Sequence, residues 1–301
     1  MSNALSQFFY CTLKPYINYR VYKYSKSMKI QEIRNATLKI TFGGKVFLTD
    51  PLFAPKDAYD PIPMCFTPDI RWPLCGLPMP VDEIIKGVDA VIMTHYHIDH
   101  FDEYAAKFLP KEIKIFVQDS YDQKILGNLG FKDTEIVSET GTVFGDVKLY
   151  KTGCMHGIEE TTMPYFKAAG IRHEAMGIVF KSAKEKTLYI AGDTIWHVCV
   201  KKAIDEFKPD IAVLNSADAR FEHSGSIIMG TRDVAEFHKY APSVKLVASH
   251  MDTVAHATLD RKALKKFAEE NGLSDSLIIP SDGEILEFLY GKYSRRILRE
   301  I

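Results

Sequence analysis

The chain has almost no net charge: 38 lysines and arginines stand against 39 aspartates and glutamates, leaving −1 at pH 7. Nothing in that balance argues for a nucleic-acid footprint spread over the molecule. No apolar run approaches the roughly 18 residues of a membrane span, so a spanning helix is excluded and a soluble protein is expected. There is no C-x-x-C pair. The five cysteines (Cys11, Cys65, Cys75, Cys154 and Cys199) are odd in number and scattered, which fits reduced thiols in a cytoplasmic protein better than a disulfide framework. Internal repeats and low-complexity tracts are also missing. What remains is ordinary globular composition, 46% hydrophobic and 26% charged over 301 residues, enough for one large domain or two small ones.

Acidic residues are also lacking from residues 1–27, which carry seven aromatics and four basic side chains. The apolar stretch Phe8-Phe9-Tyr10-Cys11 is too short for a secretory signal. The segment reads as an extension folded on its own domain or on a subunit neighbour, with a lipid surface as the weaker alternative. Residues 28–301 form the main domain.

From Met28 the pattern is of strands. Lys29 to Ile40 and Lys45 to Leu48 flank the turn Gly43-Gly44, and the second strand ends at Thr49-Asp50-Pro51. Residues 51–80 hold eight of the 14 prolines, which predicts a long ordered loop walling a site, with Phe66, Arg71 and Trp72 as pocket candidates. Helices are expected at Glu103–Leu109, Ser120–Leu129, Val198–Phe207, Arg232–Tyr240 with Thr231 as cap, and Leu259–Asn271. Residues 158–175 read as an inserted loop. Strands are expected at Val88–Met93, Ile113–Val117, within 131–150, at Gly177–Lys181, Thr187–Ala191, Ile211–Leu214, Val244–Ser249, and near 277–279 and 285–289.

The chemistry sits in Thr94-His95-Tyr96-His97-Ile98-Asp99-His100, an H-x-H-x-D-H pattern that follows a buried strand. Imidazole and carboxylate suit zinc, manganese or iron. The arrangement recurs: His156, Asp193 and His250 also follow apolar strands. If those strand ends share one edge of the fold, five imidazoles and two carboxylates converge there. That is enough for two three-ligand half-sites bridged by one carboxylate. Two metals about 3.5–4 Å apart would trap a hydroxide and lower the pKa of its parent water. Asp50 is expected either to shape its turn or to fix a ligand histidine's tautomer from behind.

In these motifs the sequence resembles the metallo-β-lactamase superfamily of metal-dependent hydrolases, over roughly residues 29–290. The motifs are Thr49-Asp50-Pro51, the H-x-H-x-D-H of 95–100, His156, Gly192-Asp193-Thr194 and Ser249-His250. Arg71-Trp72-Pro73 and Pro280-x-Asp282-Gly283-Glu284 give a likeness to the branch of ascorbate-6-phosphate lactonase and N-acyl-phosphatidylethanolamine phospholipase D. The resemblance implies an α/β (α+β) fold, a four-layer αββα sandwich. It assigns one metal to His95, His97 and His156, a second to Asp99, His100 and His250, and a bridging role to Asp193. The ions would be zinc or, alternatively, manganese. It further implies a bridging hydroxide as nucleophile, with Asp99 orienting it and shuttling a proton. His256 resembles an extra histidine of relatives that would contact substrate, with a surface histidine before a helix as the alternative; Trp72 and Asn215 are further substrate-contact candidates. Because 158–175 lengthens the gap before Asp193, Glu159, Glu160 or His173 stand as substitutes for His156.

The expected activity is hydrolysis of an ester, lactone or phosphodiester of a small molecule or lipid head group. The alternative on the same fold is a mononuclear iron oxidoreductase of the persulfide dioxygenase type. A flavodiiron protein would need glutamate where His97 stands. A purely structural metal module would use saturated, cysteine-rich sites. The expected partners are a small-molecule substrate and further copies of the chain, without nucleic acid.

Overall fold

The computed structural model of the chain describes residues 26–183 and 185–290. The expectations for residues 1–25 lie outside the described residues. Lys26 and Ser27, assigned above to the extension, already belong to the first strand.

In chain order the first half runs β1 (Lys26–Arg34), β2 (Thr37–Phe42), β3 (Lys45–Thr49), α1 (Val81–Ile85), β4 (Ala90–Ile92), α2 (Glu103–Phe108), β5 (Lys114–Val117), α3 (Ser120–Asn128) and β6 (Asp133–Ile136). The second half runs β7 (Thr142–Phe144), β8 (Val147–Gly153), α4 (Thr162–Ala169), β9 (Met176–Lys181), β10 (Leu188–Ile190), α5 (Val198–Phe207) and β11 (Ile211–Asn215). It continues through a small hairpin, β12 (Arg220–Phe221) and β13 (Gly225–Ser226), then α6 (Thr231–Tyr240), β14 (Lys245–Ser249), α7 (Arg261–Glu270), β15 (Leu277–Ile278) and β16 (Ile285–Tyr290).

Two seven-stranded sheets result, ordered β16-β1-β2-β3-β4-β5-β6 and β15-β14-β11-β10-β9-β8-β7. Each is antiparallel at one end and parallel at the other: β3 to β6 in the first sheet and β10, β11, β14 and β15 in the second. Side chains alternate across each strand, so neighbouring residues serve different cores. Phe47, Ile92 and Phe116 meet Ile178, Phe180, Ile190 and Val213 between the sheets. Leu48, Val91 and Ile115 face outward onto Ile84, Ala105 and Leu126 of the helices. On the far side, Tyr189, Ala212 and Leu246 meet Val200, Phe207, Phe237 and Leu264. These three cores define a four-layer αββα sandwich. The central parallel strands β4, β10 and β11 are buried on both faces, which is why they read as unbroken apolar runs.

Several elements differ from the sequence reading, the unread hairpin β12–β13 among them. The single strand expected over Lys29–Ile40 is two, broken at Asn35, whose φ of 59° turns the chain; asparagine is among the few side chains that accept that conformation. The loop 158–175 contains α4. Helix α1, with its proline-rich approach, went unread. Thr231 is the first helical residue of α6, not its cap, and the Gly230 N–H donates instead to the Asp233 carboxylate at 3.2 Å.

Residues 51–80 are indeed a long loop without helix or named strand, and two buried side chains fix it. The Arg34 guanidinium donates to the carbonyls of Leu52 (2.9 Å), Ala54 (2.8 Å) and Cys75 (2.9 Å). The Asp102 carboxylate accepts from the N–H groups of Phe53 (3.1 Å) and Ala54 (2.6 Å) and from the Tyr59 hydroxyl (3.2 Å). Arg71 is exposed and paired with Asp60, while Trp72 is buried against Tyr59. Among the described residues no helix is long and apolar enough to cross a membrane.

Candidate metal centre

The carboxyl ends of five parallel strands lie along one rim of the sandwich and deliver polar residues there. β3 leads into Asp50, β4 into Thr94–His100, β10 into Asp193, β11 ends at Asn215, and β14 leads into His250. After β4 the chain folds into a tight turn in which the N–H groups of His100 (3.0 Å) and Phe101 (2.9 Å) reach the His97 carbonyl. Phe101 is buried on Phe131 and anchors that turn. Asp102 then caps α2 by accepting from the Ala105 N–H at 2.6 Å.

The seven expected ligands converge. His95, His97 and His156 form one cluster, Asp99, His100 and His250 a second, and His95, His100 and Asp193 a third that joins them; within each, ligand atoms lie within 4.8 Å of one another. Asp193 Oδ2 stands 3.2 Å from His100 Nε2, 3.6 Å from His156 Nε2 and 3.9 Å from both His95 Nε2 and His250 Nε2. Its other oxygen accepts from Asn215 Nδ2 at 2.6 Å. Glu159, Glu160 and His173 are exposed and belong to none of the clusters.

The outward ring nitrogens assign the tautomers. His97 Nε2 donates to the Arg172 carbonyl (2.6 Å) and His156 Nδ1 to the Ile227 carbonyl (2.8 Å). Asp50 Oδ2 lies 3.1 Å from His100 Nδ1 and also accepts the Thr94 hydroxyl proton at 2.8 Å. That leaves Thr94 Oγ1 as acceptor for His95 Nδ1 at 3.1 Å. His95, His97 and His156 therefore turn a lone pair inward. Burial, reinforced by neighbouring imidazoles, pushes His95 well below its ordinary pKa, and burial pushes His97 down to about 4. Neutral imidazole is the ligand form.

The donor set fits a cation. His95 Nε2 and His97 Nδ1 lie 2.9 Å apart with both outer nitrogens already protonated toward oxygen. Two facing lone pairs at that distance repel unless a cation lies between them. The carboxylates tell the same story. Burial alone would raise Asp99 and Asp193, but the surrounding histidines, His100 first, hold both well below the usual carboxylate range. Against its own burial, His100 is pulled well above its ordinary value by Asp193, Asp99 and Asp50. The cluster is short of positive charge.

Residues 47–251 match the family model described as the beta-lactamase superfamily domain. The chain belongs to that superfamily. Within it, the chain is 42% identical to UPF0173 protein YddR of Bacillus subtilis (strain 168) over 261 residues, 87% of this chain and all of that protein. The structure of isothiocyanate hydrolase from Delia radicum gut bacteria is 39% identical, with a TM-score of 0.83 over 87% of this chain and 100% of that one. A possible metal-dependent hydrolase from Veillonella parvula DSM 2008 is 37% identical, with the same TM-score of 0.83, over 87% of this chain and 99% of its own. The protein is a metal-dependent hydrolase of this superfamily with an αββα fold.

Several residues of this hydrolase's site escaped the sequence reading. Asn35, at the β1–β2 turn, donates from Nδ2 to the Asp99 carbonyl (2.8 Å), and its own carbonyl accepts from the His250 N–H (2.8 Å) and the Ser249 hydroxyl (2.9 Å). An asparagine interrupting a strand pattern is a turn signal, and it was available. Gly192 has φ +69°, and a Cβ there would lie 2.4 Å from the Met176 carbonyl oxygen; the Gly-Asp pair thus has a backbone reason. The carbonyls of Arg172 and Ile227 left no trace in side-chain type.

Beside the ligands lies a cavity of about 810 Å³. Its walls include Ile62, Trp72, Tyr96, Tyr165, Phe166, Phe221 and Ile227, with His97, Asp99, His156 and Asp193 on the side of the His/Asp clusters. Of the three loop candidates only Trp72 lines it; Phe66 is exposed and Arg71 is tied to Asp60. Asn215, expected to touch substrate, is buried away from the lining and serves Asp193 instead. His256 lines the cavity, stacked on Phe221 at 5.3 Å, which stacks in turn on Tyr165 at 4.7 Å. Burial pushes its pKa down to about 4, and its Nδ1 has no hydrogen-bond partner.

Proposed function

We propose that this hydrolase binds two divalent metal ions and adds water to a small uncharged electrophile, an isothiocyanate (R–N=C=S) being the best-fitting class. His95, His97 and His156 would hold one ion, Asp99, His100 and His250 the other, with Asp193 shared. When bound, the pair supplies the bridging hydroxide expected above, acidified to near-neutral pKa, and a Lewis acid for the attacked group; zinc and manganese both suit the ligands.

The observation that carries the substrate class is the cavity. Its walls are largely aromatic and aliphatic, and the one guanidinium in them, Arg172, already pairs with Asp119 and Glu174. Apart from the metal ions themselves, a phosphodiester or anionic head group would find no uncommitted cationic side chain in that lining to hold it. An uncharged electrophile needs no such partner. The similarity to an isothiocyanate hydrolase points the same way.

Attack of water oxygen on the central carbon forms a C–O bond and leaves a thiocarbamate. Its C–N bond then breaks, giving R–NH₂ and carbonyl sulfide, so that both water protons end on nitrogen. Asp99, ionised and facing the cavity, is placed to hold the attacking water and pass its proton to nitrogen. His256, which lines the cavity with its ring stacked on Phe221, is placed to contact the substrate. The second reading is a lactone or ester, whose carbonyl carbon is likewise an uncharged electrophile; the sequence likeness to the lactonase branch favours it.

The test is turnover of benzyl isothiocyanate, a γ-lactone and a phosphodiester by zinc- and manganese-loaded enzyme. Fast loss of the isothiocyanate, with His97→Ala and Asp193→Ala each lowering kcat by about 10³-fold or more, is the expected outcome. Lactone turnover without isothiocyanate turnover overturns the substrate class. Full activity in either variant overturns the metal assignment.

A further inference from the structure

Residues 170–174 touch both halves of the site. This strap follows α4, whose last turn closes at Gly170 with φ 67°. Gly170, Ile171 and Arg172 line the cavity. The Arg172 carbonyl is also the acceptor that fixes His97 Nε2 at 2.6 Å. Upstream in the same piece of chain, the Phe166 ring packs on the imidazoles of His156 (5.3 Å) and His97 (6.2 Å).

The strap is held from one side. Arg172 Nη2 donates to Asp119 Oδ2 at 3.0 Å, Nη1 lies 3.6 Å from Asp122 Oδ1, and Nε donates to Glu174 Oε2 at 3.0 Å. Its guanidinium also lies over the Tyr121 ring, 4.3 Å from the centroid. Gln118 Nε2 adds a bond to the Glu174 carbonyl at 2.8 Å. All of these partners except Glu174 sit at the start of α3 or just before it. A guanidinium makes such a multi-point clamp because its donors form a rigid planar fork.

We infer that Arg172 is a positioning residue: by clamping the strap to α3 it holds its own carbonyl against His97, and so couples metal affinity at the His95/His97/His156 cluster to closure of the cavity wall. The coupling is reciprocal, because whatever ion holds His97 in place also holds the strap, and a loosened strap frees His97. The inference rests on the reading that this cluster binds a metal. Loss of the clamp would weaken one ion and leave the Asp99/His100/His250 cluster nearly untouched. Substitutions of the residues that hold a ligand histidine's outer nitrogen typically cost about 10–100-fold in metal affinity.

The experiment compares the full chain with Arg172→Ala, Arg172→Lys and Asp119→Asn. Asparagine at 119 keeps the helix-capping chemistry while weakening the ion pair, so a folded variant is available even if Arg172→Ala fails to fold. Zinc affinity is read by chelator competition, and amide hydrogen exchange over 158–175 is read with and without zinc. In the wild type, zinc should slow exchange across the segment. In Arg172→Ala and Asp119→Asn, one of two zinc ions should weaken by about 10-fold or more, and exchange should stay fast at zinc levels that protect the wild type. Arg172→Lys should recover part of both effects, and KM should rise more than kcat falls. Variants that bind both ions with wild-type affinity and show wild-type protection overturn the inference. A wild-type chain that binds no zinc overturns the metal reading and with it the coupling; two tightly bound ions in every variant overturn the coupling alone.

Discussion

Asp50 never reaches the cavity lining, yet it orders two of the imidazoles. One oxygen accepts from the Thr94 N–H at 2.7 Å; the other takes the Thr94 hydroxyl at 2.8 Å and faces His100 Nδ1 at 3.1 Å. Such buried polar chains hold geometry only while every member is satisfied. His256 carries the pH prediction at this scale. Its folded pKa of about 4 lies below the ordinary value of 6.5. Above pH 6.5 the ring is neutral in both states and contributes nothing; as pH falls from 6.5 toward 4 the unfolded chain takes the proton first, and the fold loses stability. His256→Gln removes that term. Its Tm in EDTA should therefore improve relative to wild type on going from pH 7 to pH 5; a difference that does not change with pH would contradict the assignment. Gly192→Ala should force the backbone before Asp193 to shift, lowering kcat by about 10²-fold or more, and activity like wild type would contradict it. The candidate ligands that converge here were legible because metal binding demands particular side chains at strand ends. Arg172 and Ile227 were not, since the group each contributes to a ligand is a carbonyl that every residue carries.

Among the elements, the central parallel strands were readable as unbroken apolar runs, and the amphipathic helices α5 and α7 because one face of each is apolar. Helix α4 was missed: Pro164 lies within its first turn, where proline is tolerated, and glutamates precede it, so the stretch resembled a loop. The 51–80 loop was legible as a loop and as a candidate wall, but what orders it was not, because those partners lie elsewhere in the chain. Arg34 sits in β1, fully buried, and donates to three of the loop's carbonyls. Arg34→Met would leave those acceptors without their donor, and a lost buried hydrogen bond costs about 1–3 kcal/mol. The expected total is a destabilisation of about 3 kcal/mol or more, read as a lower urea midpoint, with KM raised because Trp72 lines the cavity. An unchanged midpoint would mean that the loop is held by other contacts.

At the scale of the whole molecule, the site joins two half-structures. The first sheet's strands lead to Asp50 and to His95 through His100, and the second sheet's strands lead to His156, Asp193 and His250. An ion bound across them ties the two sheets together and stabilises the folded chain by mass action. Chelation should therefore lower Tm by several degrees or more, and stoichiometric zinc should restore it. The two-sheet sandwich was foreseeable from the order of strands and helices together with the family motifs. How the cavity is walled was not, because the segments that build it, 51–80 and α4 with its strap, are shaped by partners distant in sequence.

The measurement to make first is elemental analysis of the purified chain, with protein concentration from quantitative amino-acid analysis. About two zinc or manganese ions per chain is the expected result. A single iron, or no metal after reconstitution with either ion, would contradict a shared two-metal site at Asp193.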